Sequence, residues 1–204
     1  MREKHRFFGN IVVGVLALQG DVIEHRRALD LVGVKSKEVK VPSDLESIDG
    51  LIIPGGESTT LSLLVELGGM FDVIGEKIAG RMPIFGTCAG LIMLSKEIID
   101  GRRDQKSFEV FEVSVKRNGY GRQLDSFEAP IALDGTSPPN YPGVFIRAPA
   151  VVSLGDKVEV LGKVIKDESP VLIRQGRILG ATFHPELTDD LRVHELFISM
   201  IEEV

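Results

Sequence analysis

The sequence predicts an α/β fold, one domain built on a doubly wound mixed sheet. Three observations carry that reading. In the first half, short continuous apolar runs alternate with longer amphipathic segments, as parallel strands buried on both faces alternate with crossover helices. In the second half the runs become short and β-like, separated by Gly, Pro, Asn and Asp turns, as in antiparallel or mixed strands added to the same sheet. The length of 204 residues, 43% hydrophobic and 26% charged, fits one globular unit with a sizeable core.

Taken in order, "IVVGVLALQ" from residue 11 reads as a central strand. "GDVIEHRRALDLVG" follows as a helix, with Val22, Ile23, Ala28, Leu29 and Val32 near helical spacing, Asp21 as N-cap and Gly33 as stop. "KSKEVKV" and "DGLIIPGG" are the second and third strands, and "ESTTLSLLVELGG" turns helical. "MPIFGTCAGLIMLSKEI" repeats strand, tight turn and helix. "FEVFEVSVKRN", "FEAPIAL", "GVFIRAP", "VEVLGKV", "PVLIRQG" and "RILGATFHP" are the added strands, and "DDLRVHELFISMIEEV" closes the chain as an amphipathic helix. No repeat, low-complexity tract or linker divides the sequence. Residues 1–204 are therefore read as a single domain, with residues 1–10 as an N-terminal extension.

Composition removes several function classes. A formal net charge of −6 argues against a general nucleic-acid or anionic-membrane binder. One cysteine excludes a disulfide framework and a cysteine-rich zinc site, and a reducing cytoplasm is the simplest setting. The basic start "MREKHRFFGN" with its apolar run resembles a signal peptide, but the run is short and charged "GDVIEHRR" follows it. No stretch is long enough to span a membrane.

The single cysteine, Cys88, stands in "PIFGTCAGL" at a strand-to-helix corner. A sharp turn there exposes a side chain, and Gly86 and Gly90 leave room for the neighbouring backbone, as in a nucleophile elbow with Cys in place of Ser. The helix N-terminus favours a reactive, partly exposed thiolate, and the amide of Ala89 is a natural oxyanion donor. Small size at a tight packing point explains the same cysteine about equally well.

"GATFHPEL" shifts that balance. His184 and Glu186 lie two apart around Pro185, so in an extended segment their side chains share a face and a carboxylate can orient the imidazole. A surface His and Glu before a helix is the plain alternative. Of the other histidines, His5 lies in the N-terminal extension, and exposure or packing accounts for His25 and His194 in their helical patterns. "DGLIIPGGESTT" is a glycine-rich loop between strand and helix. It lacks the Gly-Lys-Ser/Thr ending of a nucleotide loop and suits an oxyanion donor or a small substrate, with Glu57 as ligand contact or helix cap.

Gly-x-Cys-x-Gly in "GTCAG", with "FHPE" well downstream, resembles the class I, triad-type glutamine amidotransferases. "LALQGDVIEH", "PGGEST", "KRNGYGRQLDSFEAP" and "GVFIRAP" narrow the resemblance to the glutaminase subunits of pyridoxal 5′-phosphate synthase, over nearly the whole chain. "DQKSFEVFEVSV" departs from the Gly- and Leu-rich stretch usual before the Arg-Asn pair. The resemblance implies a flavodoxin-like class I amidotransferase fold, with Cys88 as nucleophile, His184 as base and Glu186 as its orienting carboxylate. It places Gly56, Glu57, Ser58, Arg117, Ile146 and Arg147 around L-glutamine, with Gly56 and Ala89 as oxyanion donors. For each arginine a solvated surface charge is the alternative. The implied reaction releases ammonia through a glutamyl thioester and passes it to a (β/α)₈-barrel synthase subunit, with no metal or organic cofactor in the glutaminase step. The Gly55–Gly56 peptide can rotate at low steric cost, so partner docking is expected to turn an oxyanion donor inward. A cysteine hydrolase or deglycase-like enzyme, or an inactive docking module, are the rival readings.

Overall fold

The computed structural model describes residues 10–119, 126–136 and 138–203. β1 (Val12–Leu16), α1 (Val22–Val32) and β2 (Lys35–Val39) are followed by a 3-10 turn and β3 (Gly50–Ile53). Then come α2 (Ser58–Leu67), α3 (Met70–Ala79), β4 (Ile84–Thr87), α4 (Ala89–Leu94), β5 (Ser95–Ile98) and β6 (Phe111–Lys116). β7 (Ser126–Leu133), β8 (Asn140–Ile146), β9 (Ala150–Leu154), β10 (Glu159–Val164), β11 (Pro170–Gln175) and β12 (Ile178–Ala181) lead to α5 (Arg192–Glu202).

Nine strands form one sheet in the order β2-β1-β3-β4-β12-β11-β10-β7-β8. The first five are parallel, and the pairs beyond β12 are antiparallel. β1, β3 and β4 are covered on both faces, which is why they read as unbroken apolar runs, whereas β2, at the edge, carries Lys35, Lys37 and Glu38. In β3, Leu51 and Ile53 pack with Leu61, Val65 and Met70 on the side of α2 and α3, while Ile52 joins Leu29, Phe197 and Ile201 on the side of α1 and α5.

Not all the second-half strands join that sheet. β5, β6 and β9 form a separate three-stranded sheet, so the expectation of a single sheet is corrected for "FEVFEVSVKRN". The physical reason is the shortness of α4. Six residues advance only about 9 Å, whereas a parallel crossover takes a dozen or more. The chain instead leaves the main sheet, and Phe111, Val113 and Val115 of β6 pack into the core on the α2–α4 side. α3 was also absent from the sequence reading, although Gly69, left-handed at φ 65°, and Gly80 bracket it. In α1 the buried stripe is His25, Ala28, Leu29 and Val32, and Ile23 is 74% exposed rather than part of it. Gly33 stops that helix in the left-handed conformation, as expected. Among the described residues no single helix is long and apolar enough to cross a membrane.

Candidate active site

Because β1, β3, β4 and β12 run parallel, their carboxyl ends share one edge of the sheet, where ligands of open α/β folds bind. Four short segments meet there: residues 19–21 after β1, 54–57 after β3, Cys88 after β4 and His184 after β12.

Cys88 sits between β4 and α4 with φ 48° and ψ −102°, a conformation that strains any residue with a side chain. Its surroundings over-determine it. The Cys88 N–H donates to the carbonyl of Ala181 at 2.8 Å, tying the corner to β12. A Cβ on Gly90 would lie 1.9 Å from the Ile53 carbonyl oxygen, and one on Gly86 2.5 Å from the Gly90 carbonyl carbon. The two glycines thus permit backbone-to-backbone packing. Ala89 opens α4, so its N–H belongs to the first turn, where helix donors lack intrahelical acceptors. At 5% exposure the cysteine is more enclosed than the partly exposed thiolate expected from sequence. Its Sγ contacts the carbonyl oxygen of Ile146 at 3.8 Å.

His184 and Glu186 are buried, at 3% and 6% exposure. The His184 N–H donates to Val144 O at 2.8 Å, holding the end of β12 against β8. Pro185 then starts a one-turn 3-10 helix, Pro185–Leu187. The two side chains therefore meet across a tight turn, not along an extended strand. His184 Nδ1 lies 2.7 Å from Glu186 Oε1 and 3.3 Å from Asp21 Oδ2. With Nδ1 engaged, Nε2 is the free ring atom, and it is buried without a hydrogen-bond partner.

Burial opposes charge on His184, but hydrogen bonding to Asp21, the thiol of Cys88 and the carboxylate of Glu186 outweigh it and raise its pKa. The thiol lies near enough to the imidazole to favour its charged form, although no hydrogen bond closes on Nε2. Burial raises the Glu186 carboxyl, and the His184 contact works against that. Hydrogen bonding to His184 lowers Asp21, with burial opposing. This arrangement can supply a thiolate–imidazolium pair at a point of local strain, with a carboxylate behind the base.

The remaining expected residues form a second group. Glu57 is the N-cap of α2, accepting from the N–H groups of Thr59 and Thr60 at 3.1 and 2.6 Å. It also pairs with the Arg117 guanidinium at 2.7 Å, so cap and charge partner are both true of it. Burial opposes ionisation of Glu57, but the hydrogen bonds from Thr60 and Thr59 bring its carboxyl down to about 2. Ser58 is buried and its hydroxyl accepts from Gln105 Nε2 at 3.1 Å. Gly56 has φ 141°, and a Cβ there would lie 2.6 Å from the Gln19 amide. Gln19 in turn bonds both the N–H and the carbonyl of Glu57, bracketing the loop. Arg147 is exposed, left-handed at φ 44°, and makes no hydrogen bond or ion pair with the described residues. Residues 120–125 of "RNGYGRQLD", and residues 1–9 with His5, lie outside the described residues.

Sequence reasoning missed Asp21, Gln19 and His25 as members of this site. Asp21 does sit at the N-cap position, but its side chain makes no capping bond and turns to His184 instead. The signal was present in "LALQGDVIEH", where Gln19, Asp21 and His25 follow a buried strand in close succession. Asp21, His184 and Glu186 also form a cluster of metal-ligand type among the described residues. Both carboxylates already address the same ring nitrogen, so the cluster partners itself.

The family model for the SNO glutamine amidotransferase family matches residues 15–203. Among curated relatives, "Pyridoxal 5'-phosphate synthase subunit PdxT" of Salinispora tropica is 49% identical over 93% of this chain and 96% of its own length. The protein of the same name from Pyrococcus furiosus is 50% identical over 94% of this chain and 99% of its own. A solved structure described as a glutamine amidotransferase superposes with a TM-score of 0.87 at 45% identity, covering 93% of this chain and 98% of that one.

Proposed function

The chain belongs to the SNO glutamine amidotransferase family, and from that premise we propose that it is the glutaminase subunit of a pyridoxal 5′-phosphate synthase. It hydrolyses L-glutamine to glutamate and delivers the ammonia to a separate synthase subunit for vitamin B6 formation. The near full-length likeness to proteins named for that role supports this. The observation that carries the chemistry is the buried His184, engaged at Nδ1 by Glu186 and acted on by the Cys88 thiol at a strained corner.

The steps follow from those positions. The Cys88 thiolate adds to the side-chain carbonyl carbon of glutamine, and the negative charge passes to oxygen. Donors for that oxygen are the amides of Ala89 and the Gly55–Gly56 loop. The His184 imidazolium gives its proton to the amide nitrogen, the C–N bond breaks, and ammonia leaves a glutamyl thioester. Neutral His184 then takes a proton from water, whose oxygen attacks the thioester and releases glutamate and the Cys88 thiolate. Glu186 holds the ring and stabilises its charged form. Arg117, Glu57 and Ser58 on one side, with Ile146 and Arg147 on the other, are assigned to hold the amino-acid end of glutamine. This reading takes residues 1–204 as one amidotransferase domain with residues 1–10 as an extension. It sets the chain in the cytoplasm, where a free thiol stays reduced.

The test is glutamate release from glutamine by the full chain, alone and with a (β/α)₈-barrel synthase subunit, alongside Cys88→Ala. Hydrolysis by the wild type, its loss in the variant, and pyridoxal phosphate formation only with both subunits are expected. Absence of glutamine hydrolysis in the complex overturns the reading.

A further inference from the structure

Behind Glu186 the polar contacts continue inward, through two histidines that the steps above do not use. His25 of α1 and His194 of α5 are both completely buried. His25 Nε2 lies 3.4 Å from Glu186 Oε2 and 3.2 Å from Thr87 Oγ1, the residue directly before Cys88. His25 Nδ1 lies 3.1 Å from His194 Nε2. Glu186 Oε2 itself has no formed hydrogen bond, so the second oxygen of a buried carboxylate faces this one ring nitrogen.

These contacts fix the tautomers from the carboxylate outward. A bare Nε2 would set a lone pair against a carboxylate oxygen, so His25 must carry its proton on Nε2, directed at the Thr87 hydroxyl with Oε2 beside it. A neutral His25 then has a bare Nδ1, which accepts from His194 Nε2–H. That leaves His194 Nδ1 bare, and this buried atom indeed has no partner, as suits a lone pair better than an N–H. Burial, with like-charged neighbours for His25, depresses both histidines, His194 to about 4, so both are neutral in the working range.

We propose that His25, held in register by His194, is a positioning residue for glutamine hydrolysis, setting its Nε2–H edge 3.4 Å from the second oxygen of Glu186. An uncharged donor fixes the carboxylate without cancelling the charge that Glu186 presents to His184. It also links the base to the nucleophile corner through Thr87. The inference rests on the triad reading of the preceding subsection. The charged or titratable groups that bear on Glu186 are His184 and Asp21 from the edge loops, His25 and His194 from the helices, and Tyr141 from β8. Of these, only His25 addresses Oε2.

The experiment compares pH–rate profiles of the full chain with its synthase partner for wild type, His25→Leu and His25→Gln. Leucine keeps the apolar bulk and removes the donor, whereas glutamine returns an N–H donor near the Nε2 position. Losing a polar donor that faces a buried charge lowers kcat by about tenfold or more and moves the acid limb up by about one pH unit. That is expected of His25→Leu, with His25→Gln restored to within about threefold of wild type and to its limb. A wild-type limb in His25→Leu, whatever its melting temperature, overturns the proposal, because packing alone does not move that limb. Nitrogen-15 spectra of wild-type histidines give a measurement that needs no variant. Nε2–H tautomers at both His25 and His194 are expected, and a bare Nε2 on His25 overturns the inference. If the wild-type complex hydrolyses no glutamine, the functional reading fails first and this one falls with it.

Discussion

The two sides of the site are built to different standards. On the sheet side, Cys88, His184 and Glu186 are buried, and the main chain at Cys88 and His184 is pinned to neighbouring strands at 2.8 Å. On the rim, Arg117 follows β6, Glu57 caps α2 and Arg147 follows β8, and they face solvent to a much greater degree. Arg117 and Glu57 neutralise each other, and Arg147 has no partner among the described residues. On the proposed function, the difference separates reacting atoms, whose placement the fold enforces, from groups assigned to recognise the substrate, which the fold holds less tightly.

The strongest way to test that division is to remove the nucleophile. Cys88→Ala is expected to lower glutamine hydrolysis by about 10⁴-fold or more while the protein stays folded. Cys88→Gly should be equally inactive and melt at a higher temperature, since glycine relieves the positive φ at a cost of order 1–3 kcal/mol for other residues. Activity assays paired with thermal melts check both, and an unchanged or lower melt for glycine would remove strain from the account.

A smaller loss is expected at the carboxylate. Glu186→Gln should lower kcat by about 10²-fold rather than the roughly 10⁴-fold seen when a triad loses its orienting acid outright, because Asp21 stands 3.3 Å from the same ring nitrogen. Asp21→Asn alone should cost a fewfold, and the double variant far more than the two together. Additive effects in that cycle would show that Asp21 does not stand in for Glu186.

On the rim, Arg147→Ala should raise KM for glutamine severalfold, with stability changed by no more than about 0.5 kcal/mol. A large melting shift with normal kinetics would move Arg147 from the recognising side to the structural one.

The smallest effect distinguishes the histidines. His194 is held down to about 4 from an ordinary 6.5. A histidine kept neutral by folding binds protons first in the unfolded chain, so its contribution is complete above pH 6.5 and declines as pH falls toward 4. His184, raised instead, has the opposite sign and does not contribute to that decline. Melting temperature should therefore fall between pH 6.5 and 4, and His194→Gln should flatten part of the fall.

Much of this was legible in the residues. The apolar runs of β1, β3 and β4 announce strands buried on both faces, and the Cys88 corner follows from the glycines that flank it. Less visible was what short-range pattern does not encode. Asp21 looks like a helix cap because Asp before a helix usually is one, and only the convergence of the segments after β1 and β12 at one edge of the sheet turns it toward His184. His25 and His194 fall on apolar helical stripes, so periodicity reports them as packing, and their mutual contact joins α1 to α5 across the chain. β6 leaves the main sheet because α4 ends after six residues, a length that the apolar run through Met93 conceals.

The seam between β4 and β12 carries a consequence for how the protein comes into being. Those strands are neighbours in the sheet, with Gly86 opposite Gly180, yet they are made early and late in synthesis. The acceptor that pins Cys88, Ala181 O, lies at the end of β12, and the base follows it immediately. A nascent chain that has completed β4 and α4 therefore carries a thiol without its base. Closing that pairing joins residues far apart in the chain, and such long-range contacts form late. Competence to release ammonia thus arrives with the last strand, so truncated or stalled chains are expected to be inert rather than wasteful.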